Sequence, residues 1–300
     1  MYVFAVGMER CGTHSIVNII RSACKVPNYV VHEGVPFLCR EAKLIFEGKD
    51  FRTESLKEKI RLFRKKSKEC RLVCEANHRL GYFITFLMRE FAPNCKFIFS
   101  VRDPLATITS RLSIWSHYPD FINKYPDFYK KKITELQPPY DFNEYRITPP
   151  KSFEKKSLIE LYIWEWLENY KFVRRELACV SRQNRLIIFT EDITNRFDHI
   201  LGFIGMEYFK VNAEVMGYAR VKSDSVYVQP GEKETDVFIT RNRDSQSDET
   251  ILFAKKEVLS CKGLIANEII KGLSKLDNDM DDDLIGMDKR IINLFQTKMY

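Results

Sequence analysis

Residues 1–20 read MYVFAVGMERCGTHSIVNII. A short apolar run, Val3 to Val6, meets Gly7, and Gly12-Thr13-His14-Ser15 follows before an apolar pattern at helical spacing begins. Strand, glycine loop and helix in that order form the layout that cradles phosphates, because N–H groups at a helix N-terminus point at the anion. A Walker-type loop places Lys directly after its second glycine, then Ser or Thr to hold Mg²⁺. Here Thr13 and His14 occupy those two places, and Arg10 sits inside the loop. What the loop offers is backbone donors, the hydroxyls of Thr13 and Ser15, and one cation. That set suits an anion neutralised without a metal.

Working outward, Ile16, Ile20 and Ala23 keep a helix running from about Thr13 until it stops before Pro27. NYVVHEG predicts a short strand and a polar turn, and RLVCEA, KFIFSV and RLIIF predict buried strands. Apolar stripes from Phe83 to Phe91, from Ile159 to Leu177 and from Ile193 to Ile204 predict helices, the last closed by Gly205. Asp103 and Pro104 make a good helix cap and first turn. Leu56, Ile60 and Phe63 define one apolar face of a further helix. Its other faces carry Lys57, Lys59, Arg61, Arg64, Lys65 and Lys66, which read as a solvated face rather than a nucleic-acid patch.

Near-continuous apolar strands alternating with helices predict an α/β fold, a single domain over residues 1–300. Its parallel sheet would be covered by helices on both faces and opened by the P-loop-like strand-loop-helix. Ligands of such sheets bind at the carboxyl ends of strands. That rule lines up residues 7–15, Glu33, residues 75–79, 102–110 and 190–192 along one edge. Residues 117–157, rich in Tyr, Phe and Pro, read as an inserted lid or an irregular excursion, and 207–300 as a peripheral, mostly helical part.

Lys+Arg of 48 against Asp+Glu of 41 leaves +7, which favours an anionic ligand and is too weak to argue for nucleic acid. No apolar window of about 18 residues occurs, so no membrane span is expected. No export signal precedes the first strand, and a cytoplasmic protein is the expectation. The eight cysteines lack C-x-x-C spacing and read as free thiols. LDNDMDDDLIG, at 276–286, has Asp282 where a calcium loop needs glycine, and reads as a solvated acidic surface. No metal is expected.

A second anion site is legible further on. Arg102 ends a buried strand and Ser110 lies two turns into the next helix, so a guanidinium and a hydroxyl could converge on one phosphate. At this point the chain resembles sulfotransferases that use 3′-phosphoadenosine 5′-phosphosulfate (PAPS). GMERCGTHSI is similar to the family's 5′-phosphosulfate loop, with Arg10, Gly12 and Thr13 matching, Glu9 in place of the common Pro and Cys11 in place of Ser. FIFSVRDPLATITSRL is similar to the 3′-phosphate segment, with Arg102 and Ser110 matching, and FTEDITNRFDHILGFIG to a later segment in which Thr190 replaces Tyr. The resemblance covers roughly residues 1–206. The Arg-Lys-Gly and Trp-Lys-Asn signatures of the cytosolic branch are absent, and basic residues of GYARVKSD (217–224) and ITRNRD (239–244) are candidates to replace them.

The resemblance implies in-line sulfuryl transfer from PAPS to a hydroxyl or amine of a small-molecule acceptor, leaving 3′-phosphoadenosine 5′-phosphate (PAP). It implies that Arg10, Cys11, Gly12, Thr13, His14, Ser15, Arg102 and Ser110 hold the nucleotide, with Arg10 also stabilising the leaving phosphate. Cys11 is read as a small loop residue and His14 as a contact through its backbone. Glu33 and His78 are the favoured general bases, with Glu75 and His32 behind them. Two other readings stand beside this one. One is a P-loop kinase or nucleotide-binding protein with a degenerate Walker loop, the other a catalytically dead member that binds PAP. Oligomeric state is not legible.

Overall fold

A computed structural model describes residues 1–23, 27–115, 147–206, 248–276 and 281–297. Five parallel strands form one sheet in the order β2-β3-β1-β4-β5. They are β1 (Tyr2–Gly7), β2 (Asn28–His32), β3 (Leu72–Ala76), β4 (Cys95–Val101) and β5 (Arg185–Phe189). In chain order the helices are α1 (Thr13–Ala23), α2 (Cys39–Phe46), α3 (Glu54–Glu69), α4 (Ile84–Phe91) and α5 (Pro104–Trp115), followed by α6 (Leu158–Ala178), α7 (Phe197–Phe203), α8 (Asp248–Ser260), α9 (Lys262–Leu273) and α10 (Asp282–Thr297).

The strands are apolar along their length because both faces of the sheet are covered. In β1, Val3 and Ala5 join a buried cluster with Ile16, Ile19 and Ile20 of α1 and Ile200 and Leu201 of α7. Phe4, on the opposite face, meets Phe63 of α3 and Phe91 of α4 at ring separations of 5.4 and 5.9 Å. Its neighbour Phe97 on β4 stands 5.8 Å away. The predicted strands and the predicted cover on both faces are therefore present. The sequence reading assigned no helix to residues 39–46, where α2 buries only Glu41 and Ala42 and so carries no apolar stripe.

Where the sequence shows one continuous α/β run, the described residues group into two compact units. The first holds the whole sheet with α1 to α4 and α7. The second holds α5, α6, α8, α9 and α10. The chain leaves the first at Arg102 and rejoins it at Cys179, so neither is continuous in sequence. In the second unit, Asp288 of α10 accepts 2.7 Å from the Tyr170 hydroxyl and 2.9 Å from Arg174 Nε, which ties α10 to α6 through buried groups.

Asp103 caps α5 as the sequence suggested, its Oδ1 accepting from the N–H of Leu105 at 2.8 Å. Asp103→Ala is expected to lower stability by about 1 kcal/mol, read from the urea midpoint. Most of the lid segment and both basic stretches after residue 206 lie outside the described residues, and of 117–157 only 147–157 is described.

Candidate active site

The site begins where β1 ends. Gly7 pairs with Ser100 of β4, and a Cβ on Gly7 would stand 2.5 Å from Ser100 Oγ, so only glycine lets the two strand ends lie this close. The loop then turns back through two left-handed residues, Arg10 (φ 64°) and Gly12 (φ 80°). At Gly12 a side chain is excluded on both counts, since its Cβ would meet Ile193 Cδ1 at 2.7 Å. Arg10 is not glycine, and its conformation carries a cost of order 1–2 kcal/mol that surrounding contacts must offset.

Those contacts come from the ends of two other strands. Arg102, directly after β4, donates from Nη1 to the Arg10 carbonyl at 3.0 Å. Thr190, directly after β5, shares its single hydroxyl proton between the carbonyls of Cys11 at 2.8 Å and Val101 at 3.1 Å. Cys11 is buried beneath the loop, 3.5 Å from the Glu9 carbonyl. The helix ladder starts at once, with the Ile16 N–H donating to the Gly12 carbonyl. Arg10 itself is exposed. The resemblance marked Arg102 as a phosphate ligand and Thr190 as a replaced tyrosine; both also clamp the loop backbone. Only the sheet order reveals that role, because β4 and β5 lie roughly 90 and 180 residues from the loop.

A second cluster stands at the ends of β2 and β3. Glu33 (φ 48°) extends the ladder, its N–H donating to the Ala76 carbonyl at 2.9 Å. Its Oε1 lies 2.7 Å from His78 Nδ1 and 3.5 Å from Arg79 Nη1. Of the pair, Glu33 is the more accessible, with its side chain 26% exposed against 7% for His78. Burial alone would raise the Glu33 carboxyl. The hydrogen bond and charge of His78, with the charge of Arg79, overcome that and hold it well below the usual carboxylate range.

Beneath this pair, Lys59 of α3 and Glu75 of β3 form a buried ion pair at 2.6 Å. Lys59 also donates to the Gly34 carbonyl, and Asn77 Nδ2 donates to Glu75 Oε1 at 3.1 Å. This corrects the reading of Lys59 as part of a solvated face: it is wholly buried. The reason is charge neutralisation, since a lysine leaves water when a carboxylate waits for it. Glu75 is committed to the same pair, which removes it from the candidate bases. Asn77 caps the turn that carries His78, its Oδ1 accepting from the Arg79 N–H at 2.9 Å.

The loop and the Glu33–His78 pair are joined by His32. Its Nε2 lies 3.0 Å from Thr13 Oγ1, and the His14 ring stacks on it at 3.6 Å. His32 is buried, and Glu33 follows it directly. Thus residues 10–15, Arg102 and Thr190 surround one loop, and His32, Glu33 and His78 run on from it along the same sheet edge. Ser110 belongs to α5 in the second unit. Among the described residues no group of three or more His, Cys, Asp or Glu could hold a metal ion, and no helix is long and apolar enough to cross a membrane.

No family model and no curated protein matches the chain. Among the solved structures similar to it are sulfotransferases. One, from Alicyclobacillus acidocaldarius, is 16% identical, covers 88% of this chain and 94% of its own, and has a TM-score of 0.42. The sulfotransferase domain of a Synechococcus olefin synthase is 12% identical over 100% of this chain and 94% of its own, with a TM-score of 0.43. A mouse sulfotransferase complexed with PAP is 14% identical over 99% of this chain and 87% of its own, again at 0.43.

Proposed function

We propose that this chain is a PAPS-dependent sulfotransferase acting on a hydroxyl or amine of a small-molecule acceptor. The observation that carries this reading is the loop: a phosphate-binding turn with Arg10 inside it, Arg102 laid against its backbone, and neither Walker lysine nor magnesium hydroxyl in their usual places. PAPS supplies the sulfuryl group. The N–H groups of residues 10–15 and the hydroxyls of Thr13 and Ser15 hold its 5′ end, and Arg10 faces the bridging oxygen where charge develops. Arg102 takes the 3′-phosphate. The Glu33–His78 pair receives the acceptor proton as the acceptor oxygen bonds to sulfur and the bond to PAP breaks. Because the two groups share one hydrogen bond, that proton belongs to the pair and not to either residue.

Calorimetry with PAP and ADP, without Mg²⁺, tests the reading. A charge-assisted contact to phosphate is worth about 1.5–3 kcal/mol. The wild-type protein should therefore prefer PAP by roughly tenfold to a few hundredfold. Arg102→Ala should erase most of that ratio. Since Arg102 also holds the Arg10 carbonyl, the ratio is the informative quantity: a loosened loop weakens both nucleotides alike, a lost 3′ contact weakens PAP alone. Equal wild-type affinities, or tighter binding of ATP with Mg²⁺ than of PAP, would favour the degenerate-Walker kinase and overturn the reading.

A further inference from the structure

The buried histidine between the loop and the candidate base has no part in the chemistry above. A threonine hydroxyl has one proton and two lone-pair sites, and against an anion only the proton is useful. If His32 accepted that proton, Thr13 would turn an oxygen lone pair toward the phosphate. If His32 donated instead, the proton would remain available.

We propose that His32 is a positioning residue for the phosphate loop: its Nε2–H donates to Thr13 Oγ1 and so leaves the Thr13 hydroxyl proton for the anion. The role rests on the sulfuryl-transfer reading. Three observations support it. The Nε2 to Oγ1 distance is 3.0 Å between two buried groups. The His14 ring, stacked at 3.6 Å, restricts rotation of the imidazole. Finally, burial and then the His14 charge, with His78 and Arg79 acting in the same direction against Glu33, keep the ring neutral. A neutral imidazole has one N–H, so which nitrogen carries it decides the direction of the bond.

Two measurements test this on the full chain. Long-range proton–nitrogen NMR of the imidazoles without ligand should show His32 neutral with its proton on Nε2. Finding the proton on Nδ1 overturns the role, and this result needs no variant to fold. Calorimetry with PAP on variants is the second. His32→Leu should weaken binding about tenfold, roughly one hydrogen bond. His32→Gln, which keeps an amide N–H at similar reach, should restore most of it, and His32→Leu in a Thr13→Val background should cost nothing further. Additive losses, or no rescue by His32→Gln in a folded variant, overturn the positioning role alone. A wild-type protein that binds no PAP overturns the sulfuryl-transfer reading itself, and the role with it.

Discussion

Arg10→Ala is expected to cut sulfuryl-transfer turnover by about 10²-fold or more, the scale of losing one preorganised donor to transition-state charge. PAPS binding should weaken less, because the bridging oxygen gains its charge only as the bond to sulfur breaks, and a group that acts mainly there is felt in kcat. The backbone complicates a simple alanine test. Arg10 has φ 64°, where alanine also carries strain, so part of any loss could come from a distorted loop. Arg10→Gly separates the two effects, since glycine adopts that φ freely. The reading requires Arg10→Gly to be as impaired in turnover as Arg10→Ala. Near-normal turnover of Arg10→Gly would remove the guanidinium from the mechanism and leave the residue a role in loop shape alone.

Glu33→Gln should lose about 10²- to 10⁴-fold in turnover, the span of general-base catalysis, with PAPS affinity nearly unchanged. His78→Ala should lose less, because Glu33 is the more accessible partner and His78 supports it from below. The double variant should be no slower than Glu33→Gln by itself, since residues acting as a unit are not additive. Multiplying losses would mean two independent functions, and a larger loss from His78→Ala would move the proton to the imidazole.

The same pair gives a pH signature in stability. The Glu33 carboxyl is held low in the fold, so its contribution is fully present above its unfolded pKa of about 4.3 and is lost as pH falls through the folded value. Wild type should therefore be more stable than Glu33→Gln near neutrality, and the gap should narrow as the solution is acidified below about pH 4. Urea titrations of both proteins across that range check it. A gap that widens in acid would contradict the pairing.

The sequence by itself determined the local pieces. Val3 to Val6, the two loop glycines and the stripe from Ile16 to Ala23 could only be strand, turn and helix, because hydrophobic period and glycine freedom act within a few residues. Arg10 was legible for the same reason, as a cation inside a turn that otherwise lacks one. Arg102 stood out at a strand end followed by a capped helix. What only the tertiary structure decided is who stands beside whom. Glu33 and His78 were separate candidates in the sequence; the pairing of β2 with β3 makes them one hydrogen-bonded unit. Thr190 became a clamp on the loop, and Lys59 left its basic stretch for the buried Glu75, because β5 and α3 bring those side chains to partners distant in sequence. His32 met Thr13 in the same way. Strand order is a long-range choice set by the packing of whole faces. A side chain's partner across that order therefore leaves no mark in its neighbouring residues.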